Sequence, residues 1–527
     1  MADEKRKDGF FVTEEHLDYM EESVGELKEF PQPRAPHLWE AILSFGVLIA
    51  VMAVGIIVFE VDPHVPMFIG VIFAAIMALK IGYSWDQVET AMKDGIYRSL
   101  QAVMILIIVG ILIAVWIVSG TVPAMIYYGL KILSPSIFLI AACIICSITS
   151  LATGTSWGTM GTMGLALIGI AIGLGIPEPM AAGAVISGAY FGDKMSPLSD
   201  TTNLAPAMAG TDVMTHVKFM GLPTAIAYGI SLVLFAVLGF TTSHAGNADN
   251  SQVEAISNAL STNFNINPIL LLPPVIVIGA IVMKVPAIPG ITLGIISGVV
   301  IGLIFQPDSF GEYLSAGMNG VDREWANDVA FINAEGEETF ILDRLLNSGG
   351  IMGMMFSVSM TIIAMMFGGI MEETKQMEII VDKLLKLVKG PAGLVSMTEV
   401  TCLVSNATMP EQYISIVVPG RMYAETYKNM GLHPKTLSNA LEGAGTVTSA
   451  LIPWNTCGVF IATTLGLSVS QYIPFAFFNY LMPITVIILA FTGHALAYKD
   501  GRRAASGEAK QLLKQSVEEF NAVHKHQ

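Results

Sequence analysis

The chain has 527 residues, of which 53% are hydrophobic and only 13% are charged. Soluble domains carry about 25% charged residues, so this sequence lacks the charges that a soluble surface needs. Its net charge of −16 would also repel phosphate backbones, which excludes a nucleic-acid binder along with a soluble enzyme. The composition predicts a polytopic protein whose partner is the lipid bilayer.

Apolar runs predict the membrane elements, since a bilayer span needs about 20 mostly apolar residues. They follow an acidic tail, 1–38, and lie near 40–59, 67–83, 99–118, 136–152, 157–175, 214–240, 268–283, 287–305, 348–371, 436–465 and 471–496. Shorter segments interrupted by Gly and Pro occupy 178–210 and 391–420. We expect roughly ten to thirteen elements in an all-α fold, several of them broken helices or re-entrant hairpins.

Lysine and arginine predict the orientation, because cytoplasmic loops carry an excess of both. Segments 80–98 and 375–389 are basic, whereas 241–267 has no Lys or Arg and 307–347 is acidic. We therefore expect both termini to be cytoplasmic. The predicted organisation is a tail 1–38, a first transmembrane repeat 39–240, an external linker 241–267, a second repeat 268–497 with an external insert 307–347, and a tail 498–527.

An internal repeat emerges when the second half is shifted by 255 positions. The shift aligns Gly188 with Gly443, Ala189 with Ala444, Asp200 with Asn455, and Thr201 with Thr456. Loops at matching places carry opposite charge signals, since 80–98 is basic and 307–347 is acidic. This combination is typical of inverted-topology repeats, whose broken helices carry ion and substrate sites near the bilayer midplane.

The motif GTSWG, 154–158, matches the G-x-S-x-G pattern of serine hydrolases. That pattern has catalytic meaning on a strand-to-helix turn of a soluble sheet, whereas here it opens an apolar helix. We do not predict an enzyme, because no set of nucleophile, base and orienting residue accompanies the motif. Thr155 and Ser156 instead offer hydroxyl oxygens at a helix break, where they could bind an ion.

The segment GAYFGDKMSPLSDTTNLAP, 188–206, places charged residues between apolar stretches. Intramembrane charge is costly and by default marks an ion pathway. Pro197 interrupts the helix and frees backbone carbonyls. The candidate ion-binding residues of this segment are Asp193, Ser196, Ser199, Asp200 and Thr201, and Lys194 is a candidate partner for Asp193 or for a substrate carboxylate.

The second half supplies matching polar residues. The segment SNALEGAGTVTSALIPWNTCG, 438–458, contributes Glu442, Thr446 and Asn455 to the candidate site. A further polar break, SNAT at 405–408, adds Asn406 and Thr408. Glu411, just after this break, is either a proton site or a residue of the aqueous edge.

These residue types suit a sodium ion. Hard cations prefer oxygen ligands from carboxylates, hydroxyls, amides and carbonyls. We predict that Na⁺ binds at Asp200 and Asn455, with no cofactor required. A buried carboxylate can exchange a proton for the ion, and the candidates for that role are Glu442, Asp193 and Glu411.

These segments resemble the NhaC family of bacterial Na⁺/H⁺ antiporters, which also includes Na⁺-linked malate/lactate exchangers. The resemblance spans roughly 37–496, and two motifs carry it: GDKMSPLSDTT and ALEGAG with LIPWN. Asp193, Ser196, Asp200 and Thr201 match the first motif, and Glu442, Pro453, Trp454 and Asn455 match the second. SNAT also resembles the Ser-Asn-Thr tips of the wider ion transporter superfamily. The resemblance implies two inverted repeats, re-entrant hairpins and a homodimer in the bacterial inner membrane.

We therefore predict a secondary transporter that exchanges Na⁺ for H⁺. The alternative is a Na⁺- or H⁺-coupled carrier of a small organic acid or amino acid, which needs a cationic side chain to hold a carboxylate. Lys194 and Arg421 are the candidates for such a side chain. A channel is disfavoured, because paired half-sites on broken helices are typical of alternating access.

Overall fold

The structure is a computed structural model that describes residues 33–245, 250–283, 285–327, 331–332, 338–385, 388, 390–505 and 507–524. Most of the predicted tail 1–38 lies outside these ranges. Within them the chain is helical, apart from one antiparallel pair of two-residue strands, β1 (Phe331–Ile332) and β2 (Glu338–Thr339). The predicted all-α fold is confirmed.

The helices of the first half are α1 (Leu38–Ala53), α2 (His64–Ile81), α3 (Trp85–Val118), α4 (Thr121–Ile132), α5 (Pro135–Thr153), α6 (Ser156–Thr159), α7 (Leu165–Gly173), α8 (Glu178–Met195), α9 (Asp200–Ala209), α10 (Val213–Ala245) and α11 (Asn250–Asn263). Turns of π-helix extend α1 at Val54–Val58 and join α6 to α7 at Met160–Gly164.

The helices of the second half are α12 (Leu272–Val282), α13 (Ala287–Phe305), α14 (Phe310–Asn319), α15 (Glu324–Asn327), α16 (Ile341–Leu346), α17 (Gly350–Glu373), α18 (Gln376–Leu385), α19 (Pro391–Thr408), α20 (Ile414–Asn429), α21 (Pro434–Ala440), α22 (Thr456–Leu465), α23 (Val469–Tyr472), α24 (Phe477–Phe491) and α25 (Gly507–His524). A π-helix, Leu441–Thr446, and a 3₁₀-helix, Val447–Leu451, extend α21. Further 3₁₀ turns lie at Pro268–Leu271 and Ile473–Phe475.

Among the described residues, eight helices are long and apolar enough to cross a bilayer, or ten if each of two bent pairs is one span. The pairs are Val253–Asn263 with Pro268–Ala280, bent by 99°, and Thr456–Leu465 with Val469–Phe475, bent by 86°. The protein is therefore a multi-pass membrane protein. The predicted run 436–465 is not one span, because the α21 extension ends before α22 begins. The linker 241–267 is more than a loop, since α11 buries Ile256 and Leu260.

Contacts between loops sort the helix ends into two faces. On one face the backbone N–H of Asn265 donates to the side chain of Gln306 at 3.2 Å. On the other, the hydroxyl of Tyr83 donates to the carbonyl of Glu373 at 2.9 Å, and Arg98 pairs with Glu372. The segments predicted to be external thus share one face and the basic segments share the other. The assignment of these faces to cytoplasm and exterior stays a prediction.

The two halves repeat one order of elements. Pro135 and Pro391 begin α5 and α19, and Gly210 and Gly466 end α9 and α22 in the left-handed conformation. Both intervals are 256 positions, one more than the shift of the sequence alignment. The structure therefore matches Asn455 with Ser199 rather than with Asp200, since both are N-caps. The opposite orientation of the halves in the bilayer stays a prediction.

Candidate functional site

Four helix breaks bring polar groups into the interior. Break 1 (Gly154–Thr155) separates α5 from α6, break 2 (Ser196–Ser199) separates α8 from α9, break 3 (Met409–Tyr413) separates α19 from α20, and break 4 (Ile452–Asn455) precedes α22. Irregular backbone at membrane depth is tolerated where it lines a cavity or is buried in protein. Both situations occur here, because breaks 1 to 3 line a cavity and break 4 is packed behind them.

The central cavity, as we call it, has a volume of about 340 Å³. Its polar wall consists of Thr155, Ser156, Asp193, Ser199, Asp200, Thr201, Glu411, Gln412 and Tyr413. Arg98 on α3 lies on the same wall, and Pro286 and Ile291 contribute to an apolar side. Among the described residues that line the cavity, three carboxyl groups outnumber one guanidinium, so their formal charge favours a cation.

Asp193 connects break 1 to the end of α8. Its carboxylate accepts hydrogen bonds from the backbone N–H of Ser156 at 3.2 Å and from the Ser156 hydroxyl at 2.7 Å. The side chain is 5% exposed yet reaches the cavity wall. Hydrogen bonds to a charged acceptor are about twice as strong as neutral ones, so this contact holds break 1 and α8 together.

Asp200 is the exposed carboxylate of the cavity. It is the first residue of α9 and follows the N-cap Ser199, which accepts the backbone N–H of Thr202 at 3.5 Å. The hydroxyl of Tyr413 donates to Asp200 at 3.5 Å, which is the long limit of a hydrogen bond. Asp200 is therefore held more loosely than Asp193.

Thr155 and Glu411 stand at matching places in breaks 1 and 3. Thr155 accepts the backbone N–H of Gly158 at 3.3 Å, and Glu411 accepts those of Tyr413 at 2.7 Å and Ile414 at 3.2 Å. Each side chain caps the helix that follows its break. Glu411 thus has a structural role as well as a place on the cavity wall.

Two amides of the second half, Asn406 and Asn455, bind each other instead of facing the cavity. Asn406 donates to the carbonyl of Gly445 at 2.8 Å and to the Thr448 hydroxyl at 3.0 Å. Asn455 donates to the carbonyl of Asn406 at 3.0 Å and accepts the N–H of Cys457 at 3.0 Å. This network joins the end of α19 to break 4 and satisfies its members.

A second polar region, the charge cluster, is formed by Lys194, Glu399 and Glu442. Each of the three is at most 2% exposed, and Lys194 interacts electrostatically with both carboxylates. Glu442 accepts a hydrogen bond from Thr201 at 3.2 Å, so the cluster adjoins the cavity wall without being part of it. His216 also interacts electrostatically with Lys194.

The structure brings together only part of the predicted set. Thr155, Ser156, Asp193, Ser199, Asp200, Thr201 and Glu411 line the cavity. Asn406 and Asn455 form the network between the end of α19 and break 4, and Glu442 belongs to the charge cluster. Three predicted hydroxyls lie outside the cavity wall. Ser196 donates to the carbonyl of Leu151, Thr408 donates to that of Val404, and Thr446 is buried in the π-helix.

Sequence reasoning missed two charged residues. Glu399 lies in the middle of α19, where a lone acid between apolar residues is the signal of an intramembrane ionisable group. Arg98 lies on α3 and is the guanidinium of the cavity wall, whereas Lys194 is behind that wall and Arg421 is on the exposed side of α20. No signal in the sequence alone points to Arg98.

The donor set of the cavity is oxygen-rich. In the ranges that the structure describes, no three His, Cys, Asp or Glu side chains come together in a way that could hold a metal ion. The cavity instead mixes carboxylates with hydroxyls, which are the ligands that hard cations prefer.

Comparison with known proteins relates the chain to membrane antiporters. A sequence model described as the Na⁺/H⁺ antiporter family matches residues 188–494, which include breaks 2, 3 and 4. The Na⁺/H⁺ antiporter NhaC of Alkalihalophilus pseudofirmus is 35% identical over 86% of this chain and 95% of its own length.

Two other relatives carry different names. The malate-2H⁺/Na⁺-lactate antiporter of Bacillus subtilis is 37% identical over 88% of this chain and 97% of its own length. The arginine/ornithine antiporter ArcD of Halobacterium salinarum is 35% identical over 90% of this chain and 96% of its own length.

Proposed function

This chain belongs to the Na⁺/H⁺ antiporter family, and we propose that it exchanges Na⁺ for H⁺ across a bacterial cytoplasmic membrane. One observation carries the proposal: three helix breaks surround a single cavity with carboxylates and hydroxyls. Paired broken helices are typical of secondary transporters, in which they form ion sites that alternate between the two sides.

Within the cavity, we assign the Na⁺ ligands to Asp193, Asp200, Thr155 and Ser156. Asp193 is the strongest candidate, because it is nearly buried and already accepts two hydrogen bonds. Ser156 keeps a hydroxyl oxygen beside it, and Asp200 supplies a second carboxylate on the same wall. This set offers the charged and neutral oxygens that a hard cation needs.

Exchange follows because Na⁺ and H⁺ compete for one site, whose carboxylates need a bound positive charge. Carboxylates in a membrane interior are costly when they are ionised and unpaired. Either a proton or Na⁺ can neutralise them, so binding of one favours release of the other. We assign the proton to Asp193 and Glu411 on the cavity wall, whereas Glu442, which the sequence also singles out, contributes through the charge cluster behind that wall.

The test is transport by the purified protein in liposomes that contain a pH-sensitive dye. We expect an inward Na⁺ gradient to drive protons outward and radioactive Na⁺ inward in one fixed ratio. A variant with the same chemical change away from the cavity, Glu89→Gln on the exposed start of α3, should behave like the wild type. Sodium uptake without proton movement, or no uptake at all, would overturn the proposal.

A second candidate function is suggested by the volume of the cavity and by Arg98. About 340 Å³ exceeds the needs of a bare ion, and a guanidinium can bind a carboxylate with two hydrogen bonds. Arg98 pairs with Glu372, so an organic acid would have to replace that partner. Under this candidate, malate, lactate or arginine would stimulate Na⁺ exchange in the same liposomes, and Arg98→Gln would abolish the stimulation.

The assembly and orientation are also proposals. We assign both termini to the cytoplasm, because the basic segments 80–98 and 375–389 share a face. The homodimer rests on the resemblance to the ion transporter superfamily. Light scattering from the purified protein would measure the mass of the assembly.

A further inference from the structure

The charge cluster lies where two halves of the molecule meet. Lys194 comes from α8 in the first half, whereas Glu399 on α19 and Glu442 in the π-helix come from the second. Gly443 permits the approach, since a Cβ atom there would lie 2.6 Å from a carboxylate oxygen of Glu399. The three charged groups are thus packed into protein beside the cavity wall, and Asp193 on that wall interacts electrostatically with Glu442.

Few groups stabilise these charges. The ammonium of Lys194 and both carboxylate oxygens of Glu399 form no hydrogen bond with any group in the described ranges. Glu442 is different, because Thr201 donates to one of its oxygens at 3.2 Å. Buried ions are normally paired and hydrogen-bonded, so this arrangement needs an explanation.

The other polar neighbours carry no compensating charge. Tyr427 on α20 and Cys402 on α19 interact electrostatically with Glu399. His216 on α10 interacts with Lys194, and its Nδ1 atom lies 2.8 Å from the Ser438 hydroxyl on α21. Among the described side chains of the other helices packed against α19, Glu378 and Lys383 on α18 are exposed, and Lys435 on α21 donates to the carbonyl of Gly501 at 2.6 Å. The charged residues of α20 are exposed, and α24 has none.

The charges of the cluster do not balance. Two carboxylates and one ammonium leave a net charge of −1, and an uncompensated charge in a protein interior is costly. One bound proton makes the cluster neutral. The donor from Thr201 favours the ionised form of Glu442, whereas Glu399 has no such donor, so the proton belongs on Glu399.

We propose that Glu399 is a proton-binding site of the transport cycle, separate from the Na⁺ cavity, with Lys194 as its fixed counter-charge. The inference rests on the proposed Na⁺/H⁺ exchange. On deprotonation the carboxylic acid of Glu399 releases its proton to water and keeps the electron pair as a carboxylate. Na⁺ in the adjoining cavity then replaces the lost positive charge.

Thr201 connects the two regions. Its hydroxyl lies 3.1 Å from that of Ser199 and 3.2 Å from Glu442, and it also lies on the cavity wall. A cation in the cavity is therefore one hydrogen-bonded side chain away from the cluster. Because the two regions are this close, the protonation state of the cluster changes the affinity of the cavity for Na⁺. By thermodynamic linkage, bound Na⁺ changes the affinity of the cluster for protons by the same factor.

The experiment counts protons released per Na⁺ bound by the full-length protein in weakly buffered detergent, over a range of pH. Glu399→Gln leaves Lys194 and Glu442 as a neutral pair. We expect this variant to release one proton fewer per Na⁺ than the wild type. The magnitude of the slope of log Kd for Na⁺ against pH should decrease by one. Glu399→Asp should restore both quantities, which a purely structural role would not require.

Lys194→Met provides the opposite change. It leaves two carboxylates without an ammonium, so the Na⁺-free protein should bind two protons in the cluster, one more than the wild type. One Na⁺ replaces one positive charge, so the count per Na⁺ should stay at the wild-type value. The control is Glu40→Gln, which alters a carboxylate that is also fully buried but is paired with Arg34. It should leave the proton count unchanged, and melting curves would verify that each variant is folded.

The two proposals fail in different ways. Wild-type protein that binds Na⁺ without releasing any proton would overturn the proposed exchange itself. Wild-type protein that releases protons, with a wild-type count in Glu399→Gln and no extra bound proton in Lys194→Met, would overturn only the role of Glu399.

Discussion

The two halves of the molecule use the same broken helices for different purposes. In the first half, break 2 places Asp193 and Asp200 on the cavity wall. In the second half, the corresponding break 4 holds Asn455, whose amide binds Asn406 near the end of α19. Break 2 therefore presents charge to a ligand, whereas the amide of break 4 is satisfied by hydrogen bonds within the protein.

The helix N-caps illustrate this division. Ser199 caps α9 and Asn455 caps α22, and each accepts a backbone N–H in the usual way. The next residue differs, since Asp200 follows Ser199 whereas the neutral Thr456 follows Asn455. The same local structure thus tolerates either a charged or a neutral residue directly after the N-cap. The charged residue, Asp200, lies on the cavity wall, whereas the neutral residue, Thr456, does not.

The largest expected effect comes from removing charge on the first-half side. Asp193→Asn keeps the shape of the side chain but weakens the contact with Ser156 and removes the strongest assigned Na⁺ ligand. A hydrogen bond to a charged group contributes roughly 1.5–3 kcal/mol, so we expect Na⁺ affinity to fall by about 10- to 150-fold. Calorimetric titration with Na⁺ measures the loss.

Asp200→Asn is the matched comparison. Because Asp200 is exposed and held by one long hydrogen bond, its loss should weaken Na⁺ binding less than that of Asp193. Equal affinities in Asp193→Asn and wild-type protein would place the ion elsewhere. A larger loss in Asp200→Asn would reverse the ranking of the two carboxylates.

The sequence predicted the helices and their breaks more accurately than it predicted the side-chain contacts between distant segments. Helix breaks follow from Pro, Gly and polar residues in apolar runs, which is why Asp193 and Asp200 could be identified. The predicted pairing of Asp200 with Asn455 was off by one position. The alignment paired residues of similar side-chain chemistry, whereas in the structure the equivalent positions are the two helix N-caps, Ser199 and Asn455. A one-residue difference on a helix turns a side chain by about 100°.

Contacts between distant segments were beyond the reach of local patterns. Arg98 reaches the cavity from α3, and Glu399 reaches Lys194 across the interface between the halves. Both depend on how helices pack. Glu399 could still have been noticed as a lone acid in a membrane helix, whereas Arg98, just before the apolar run 99–118, looks like an ordinary cytoplasmic charge.

A smaller effect is expected from making the second half resemble the first. Asn455→Asp would add a carboxylate where the amide now donates to the carbonyl and the side-chain oxygen of Asn406. Both hydrogen bonds would be lost and oxygens would face each other, which should cost about 3 kcal/mol of folding stability. Thermal melting in detergent measures this cost.

The equivalent amide contact provides the control. Asn406→Asp would remove the donations to Gly445 and Thr448 and should destabilise the protein similarly. If Asn455→Asp instead retained the wild-type melting temperature and bound Na⁺ more tightly, Asn455 would be an ion ligand after all.

The smallest effect concerns the glycines that the sequence alignment paired. A Cβ atom on Gly188 would lie 2.1 Å from the backbone oxygen of Cys143, which cannot move without separating α5 from α8. The same atom on Gly443 would meet the end of the Glu399 side chain at 2.6 Å, and that side chain can rotate. Overpacking costs typically 1–3 kcal/mol, so we expect this for Gly188→Ala and less than about 1 kcal/mol for Gly443→Ala.

The two variants should also differ in which property they change, the melting temperature or the pH dependence of Na⁺ binding. Gly188→Ala lowers the melting temperature and leaves the pH dependence of Na⁺ binding as it is in the folded fraction, because its contact is structural. Gly443→Ala leaves stability almost unchanged but displaces the carboxylate of Glu399 from Lys194, so the pH dependence of Na⁺ binding should shift. Melting curves combined with Na⁺ titrations at several pH values separate these outcomes. A Gly443→Ala protein that binds Na⁺ with the wild-type pH dependence would mean that the position of Glu399 does not influence the ion.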